Sequence, residues 1–108
     1  MAKQLSFNYD GKDYILEFTR NSVKAMERNG FVADNIDTMP MTVLPELFAG
    51  AFLAHHRFEK RTVVDEIYNA LSNKVELIEK LTEMYNDTIG TLVEEPEEGK
   101  NVKWTANW

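Results

Sequence analysis

Cysteine is absent from the 108 residues, so the chain has no disulfide framework and no thiolate chemistry, and a zinc site would lack its commonest ligand. Histidine is scarce: His55 and His56 are the whole supply, and they are adjacent. On a helix, neighbouring side chains diverge by about 100°, so this pair does not make the i, i+4 clamp that a metal uses. Cations are outnumbered, with 12 Lys and Arg against 18 Asp and Glu, for a net charge of −6. A duplex-binding surface needs clustered cations to displace counterions, so nucleic acid is not an expected partner. No HExxH, GxSxG, Walker or GxGxxG pattern occurs, and no group of polar residues converges on one chemistry. The expectation is a protein that is not an enzyme, with no metal and no cofactor. The start, MAKQLSF, lacks the apolar core of a secretory leader, which points to a cytosolic, reducing compartment.

What is present is 44% hydrophobic and 28% charged, the balance of one small globular domain. Its most unusual stretch is Thr42 to Phe58, TVLPELFAGAFLAHHRF. Leu44, Leu47, Phe48, Ala51, Phe52 and His55 fall on one helical stripe, yet the opposite side offers Ala49, Gly50, Leu53 and Ala54 rather than charges. A helix apolar nearly all round is covered on more than one side. The spacing therefore predicts one central helix, capped by Thr42 and tolerating Pro45 in its first turn, with its second side open to another protein. Its length is marginal for a membrane span, and the polar end at His55, His56 and Arg57 argues against one. The two histidines read as the close of a core helix, helped by its C-terminal dipole.

Around this stretch the chain reads in order. KQLSFNYDGKDYILEF alternates Leu5, Phe7 and Tyr9, turns at Asp10-Gly11, and alternates again at Tyr14, Leu16 and Phe18, which is a hairpin signal. Its aromatic face packs on helices, or its edge strand pairs with a neighbouring subunit. Thr19 or Asn21 caps a short helix to Asn29, stopped by Gly30 with Phe31 folding back on Met26. VADNIDTMP is a loop, and Met39 and Met41 beside it serve either gap-filling or adaptable contacts. Thr62 with Asp65 caps a third helix, and Asn73 with Glu76 a fourth whose stripe is Leu77, Ile78, Leu81, Met84 and Tyr85, extended by Ile89 and Leu92. Glu76 and Lys80 make an i, i+4 pair. The fold class is α+β: an N-terminal β-hairpin packed on a mainly helical domain of about four helices, spanning residues 1–93.

From Glu94 the composition turns acidic, with Pro96 and Gly99, and residues 94–108 read as a flexible tail. It ends VKWTANW, with both tryptophans in the last five residues. Tryptophan is the residue most enriched at binding hot spots, so Trp104 and Trp108 are either docking anchors or a flap folded onto the domain itself.

The strings YDGKDYILEFTRNSVKAMERNGF, PMTVLPELFAGAFLAHHRF, VDEIYNAL and LIEKLTEMYNDTIGTLVEEPEE, with the closing NW, together resemble the tail assembly chaperone-like proteins of siphophages and prophages of Gram-positive bacteria. The likeness runs over essentially the whole chain. It implies a small helical protein of the host cytoplasm that coats the tape measure protein, keeps it soluble and helps recruit tail tube protein around it. In many such families a frameshift yields a longer product. On this reading Leu44, Leu47, Phe48, Leu53 and Phe58 are candidate contacts to tape measure segments or to sister subunits in a homo-oligomer. Trp104 and Trp108 are candidate anchors for a tail component, and neither nucleic acid nor membrane is a partner. Two alternatives stay open: a structural head–tail connector or tail completion protein of the virion, and a regulatory module whose acidic tail masks a basic partner.

Overall fold

Asp10 and Gly11 adopt φ of 51° and 80°, so both central residues of the first turn lie in the left-handed region that a tight two-residue hairpin requires. That turn joins β1 (Leu5–Tyr9) to β2 (Lys12–Leu16), with Leu5 opposite Leu16 and Phe7 opposite Tyr14. The computed structural model describes residues 3–93 and 102–108. Four helices follow the hairpin: α1 (Arg20–Arg28), α2 (Pro40–Gly50), α3 (Arg61–Ala70) and α4 (Lys74–Gly90). The chain is thus an α+β fold with the two-stranded sheet at its N-terminus.

Helix α1 begins and ends as its residues dictate. Thr19 and Ser22 form a reciprocal capping box, the Thr19 hydroxyl accepting from the Ser22 N–H at 3.0 Å. At the other end Gly30 takes φ 92°, and the N–H groups of Gly30 and Phe31 reach the Glu27 and Met26 carbonyls, both at 3.0 Å. That is the full Schellman pair.

Helix α2 departs from the expected 17-residue rod at both ends. It starts at Pro40, whose fixed φ suits the first helical position, and Met39 rather than Thr42 stands at the cap with no side-chain bond. It stops at Gly50. The Ala51 carbonyl, which a continuing helix would give to His55, accepts the Glu17 N–H at 3.1 Å instead. The chain from Ala51 to Leu53 tightens into three-residue turns and runs along the outer edge of β2, where His56 Nε2 accepts the Ile15 N–H at 3.0 Å. The histidines do not close a helix; they fasten a turn to a strand.

Helices α3 and α4 keep their stripes but not their caps. Thr62 caps nothing, because α3 already begins at Arg61, and Asp65 is held by the Arg61 guanidinium at 3.0 Å. Asn73 sits in the left-handed region (φ 54°), so its amide meets the Glu76 carboxylate at 2.6 Å rather than a backbone N–H. Glu76 makes no ion pair with Lys80, which lies 4.0 Å from Glu83. Lys74 instead supplies a cation to the last carbonyls of α3, those of Asn69 and Leu71. Ile89 and Leu92 do not lengthen the buried stripe of α4; both are exposed.

The core gathers Tyr14, Leu16 and Phe18 from the hairpin, Val23 and Met26 from α1, Leu47 and Phe48 from α2, and Ile67, Leu81 and Met84 from α3 and α4. A run of aromatic contacts crosses it: Phe7 on Tyr14 at 5.4 Å, Tyr14 on Phe52 at 5.7 Å, then Phe48 at 5.1 Å from both Phe52 and Tyr68. At its C-terminal end the second side of α2 is covered by the chain itself. Gly50 lies under Met26, and a Cβ there would sit 2.5 Å from its Cε and 2.9 Å from its Cγ. No helix among the described residues is long and apolar enough to cross a membrane.

Candidate partner-binding groove

The C-terminal turn of α1, a 3₁₀ turn over Ala33–Ile36, helix α2 and the turn beyond it enclose an open groove of 510 Å³. Its walls are apolar where Met26, Phe31, Val43 and Leu53 line it, and its rim carries Glu46, Arg57 and Arg61. The Schellman turn at Gly30 aims Phe31 into place, where its ring meets Tyr85 at 5.5 Å. Arg61 bridges Glu46 of α2 at 2.8 Å and Asp65 of α3 at 3.0 Å, fixing one side of the groove. Met39 lines its mouth and is half exposed, whereas Met41, 91% exposed on the first turn of α2, does not line it. Neither thioether fills a gap in the core, contrary to the gap-filling expectation. An apolar concavity with a few charges and a flexible thioether at its mouth suits adaptable binding of apolar chain.

The residues singled out from sequence do not assemble into one surface. Leu47 and Phe48, the latter 1% exposed, are core residues and are withdrawn as contacts: α3, α4 and the hairpin occupy the side they face. Leu44 is half-buried and does not line the groove, whereas Leu53 is half-buried and does. Phe58 is 89% exposed on the turn before α3, with the Arg57 guanidinium 5.3 Å from its ring centre. Trp104 is 83% exposed and Trp108 fully so; neither folds over the domain as a flap. The acidic stretch read as a linker, residues 94–101, lies outside the described residues. Phe31 and Val32 were missed as groove walls. Their signal was the glycine stop at Gly30, which fixes where the chain turns back.

Beside the groove, polar side chains bind the α2–α3 turn to the hairpin. Glu17, buried, accepts from Gln4 at 3.2 Å and pairs with His55 Nε2 at 2.6 Å. A buried carboxylate needs such partners. Lys12 and Tyr14 both reach Glu59, at 3.0 and 3.3 Å. Burial, then the Lys12 charge, lowers the His56 pKa below its ordinary 6.5. Its Nε2 accepts a hydrogen bond and must be unprotonated to do so. The neutral form is therefore favoured in the fold, and its contribution is complete above the unfolded pKa near 6.5 and is lost as pH falls through the lower native value. The urea midpoint of the native chain should fall below pH 6.5 more steeply than that of His56→Gln, which retains an acceptor that does not titrate. Parallel midpoint curves would remove His56 from this role. Among the described residues no cluster of acidic or histidine side chains is arranged to hold a metal ion.

The model of the DUF5055 family, a domain of unknown function, matches residues 1–108, and the chain belongs to that family. No curated protein and no solved structure matches it.

Proposed function

We propose that this DUF5055 chain is a non-enzymatic assembly chaperone of phage tails, working in the host cytoplasm on the tape measure protein and assisting assembly of the tail tube. The observation that carries the reading is the open apolar groove with Met39 exposed at its mouth, beside the sequence's resemblance to tail assembly chaperone-like proteins. A long apolar helix needs a soluble cover, and an apolar groove takes the stripe of such a helix at i, i+3 and i+4 positions. The net charge of −6 keeps a loaded complex in solution. Phe58, Trp104 and Trp108 offer further apolar contacts, the last two on a segment apart from the groove.

Met39 provides a clean test because its exposed side chain does not hold the fold together. Aspartate there places an acid at the cap of α2, where it favours the helix. Met39→Asp should leave the thermal midpoint equal or higher, yet weaken the ability to hold an apolar tape measure segment in solution, followed by light scattering. A variant that stays folded and protects the segment as well as the native chain assigns the wrong surface. Mass spectrometry of purified particles separates this role from that of a connector: a chaperone is missing from mature virions, a connector present at fixed stoichiometry.

A further inference from the structure

The two edges of the hairpin are treated differently. Along β2 the outward Ile15 N–H goes to His56, and the next outward N–H, of Glu17, goes to Ala51. Because Ile15 donates away from β1, the Ser6–Ile15 pair is one of the non-hydrogen-bonded pairs of the ladder, and by alternation so is Asn8–Asp13. Ser6 and Asn8 thus turn their N–H and C=O groups away from the hairpin, and no backbone partner meets them among the described residues. Beneath that open edge, Leu5, Phe7 and Tyr9 are half-buried, whereas Tyr14 and Leu16 on β2 are buried. The strand carries none of the usual protections, having no proline, no bulge and no inward lysine.

We propose that a second copy of this chain fills the edge, its β1 running antiparallel to the first about a two-fold axis perpendicular to the sheet at Phe7, to give one four-stranded sheet. The sequence QLSFNYD is self-complementary in that register. Phe7 stands opposite Phe7 of the second copy, Leu5 opposite Tyr9, Ser6 opposite Asn8, and Gln4 opposite Asp10. Apolar residues meet apolar ones on the helix-covered face, polar meet polar on the other, and no like charges oppose each other. The parity is also right: Ser6 and Asn8 are the residues whose backbone groups face outward, so each exchanges two hydrogen bonds with its counterpart. A two-fold contact of this kind closes on itself and leaves no edge to propagate.

Sedimentation of the full chain over a rising concentration series, with amide exchange, tests the pairing. The dimer should grow with concentration while the Ser6 and Asn8 amides become protected in step. Ser6→Pro removes only the outward N–H, a position where an edge strand tolerates proline, and should weaken dimerisation at least ten-fold. Two further variants change only exposed side chains: Ser6→Lys/Asn8→Lys sets like charges opposite each other and should abolish the dimer, and Ser6→Glu/Asn8→Lys, which keeps a cation opposite Asp13 in the hairpin, should restore it. A chain that is monomeric throughout, or a dimer indifferent to the lysine pair, overturns the proposal. So does protection of Ser6 and Asn8 that is independent of concentration, which would mean that the chain covers its own edge.

Discussion

Phe48→Ala is expected to cost the fold about 3–5 kcal/mol, the range for truncating a buried aromatic side chain. Phe48 joins Phe52 and Tyr68 at 5.1 Å each, so its loss opens a cavity at the meeting point of α2, α3 and the turn that follows α2. Set against the roughly 5–15 kcal/mol that holds a small domain together, that is a large share. Urea unfolding followed by far-ultraviolet dichroism should show the midpoint collapse, and any loss of binding would follow from unfolding. A Phe48→Ala chain with native midpoint that has lost its partner would reinstate Phe48 as a contact residue.

The opposite pattern is expected at the C-terminal segment. Trp104 and Trp108 are exposed and support nothing in the domain, so Trp104→Ala/Trp108→Ala should leave the dichroism melt where it was. If they anchor a tail component, each is a hot spot of the kind worth about 2 kcal/mol or more, which is roughly 30-fold in affinity per residue. Titration calorimetry against tail tube protein should then lose detectable binding in the double variant. Undiminished affinity would remove the tryptophans from the interface.

Turn and stop signals carried through into the fold, and features set from far along the chain did not. Asp10-Gly11, the alternation on either side of it and Gly30 each specify backbone geometry within a few residues, and the hairpin and the stop of α1 stand where those residues put them. The end of α2 was illegible because its cause lies far off in sequence: the Glu17 N–H claims the Ala51 carbonyl that would have extended the helix. The apolar character of Thr42 to Phe58 was read correctly as burial on two sides, but nothing local says whether the cover comes from the same chain or from another. Here Met26 supplies it over Gly50. The same ambiguity put Leu47 and Phe48 among the contacts while Leu53, Phe58 and the tryptophans retained their accessibility. The caps at Thr62 and Asn73 are the local exceptions: α3 already begins at Arg61, which holds Asp65, and a left-handed Asn73 turns its amide to Glu76.

Both indoles of this protein sit on one segment outside the packed domain, and the domain itself reports only through its tyrosines, of which Tyr14 and Tyr85 are buried. A label-free melt that tracks emission excited at 295 nm will therefore be nearly blind to unfolding and sensitive to whatever touches residues 104 to 108. That blindness is useful: a blue shift on adding a partner localises the encounter to the tail without any dye, while ellipticity follows the domain independently in the same cuvette.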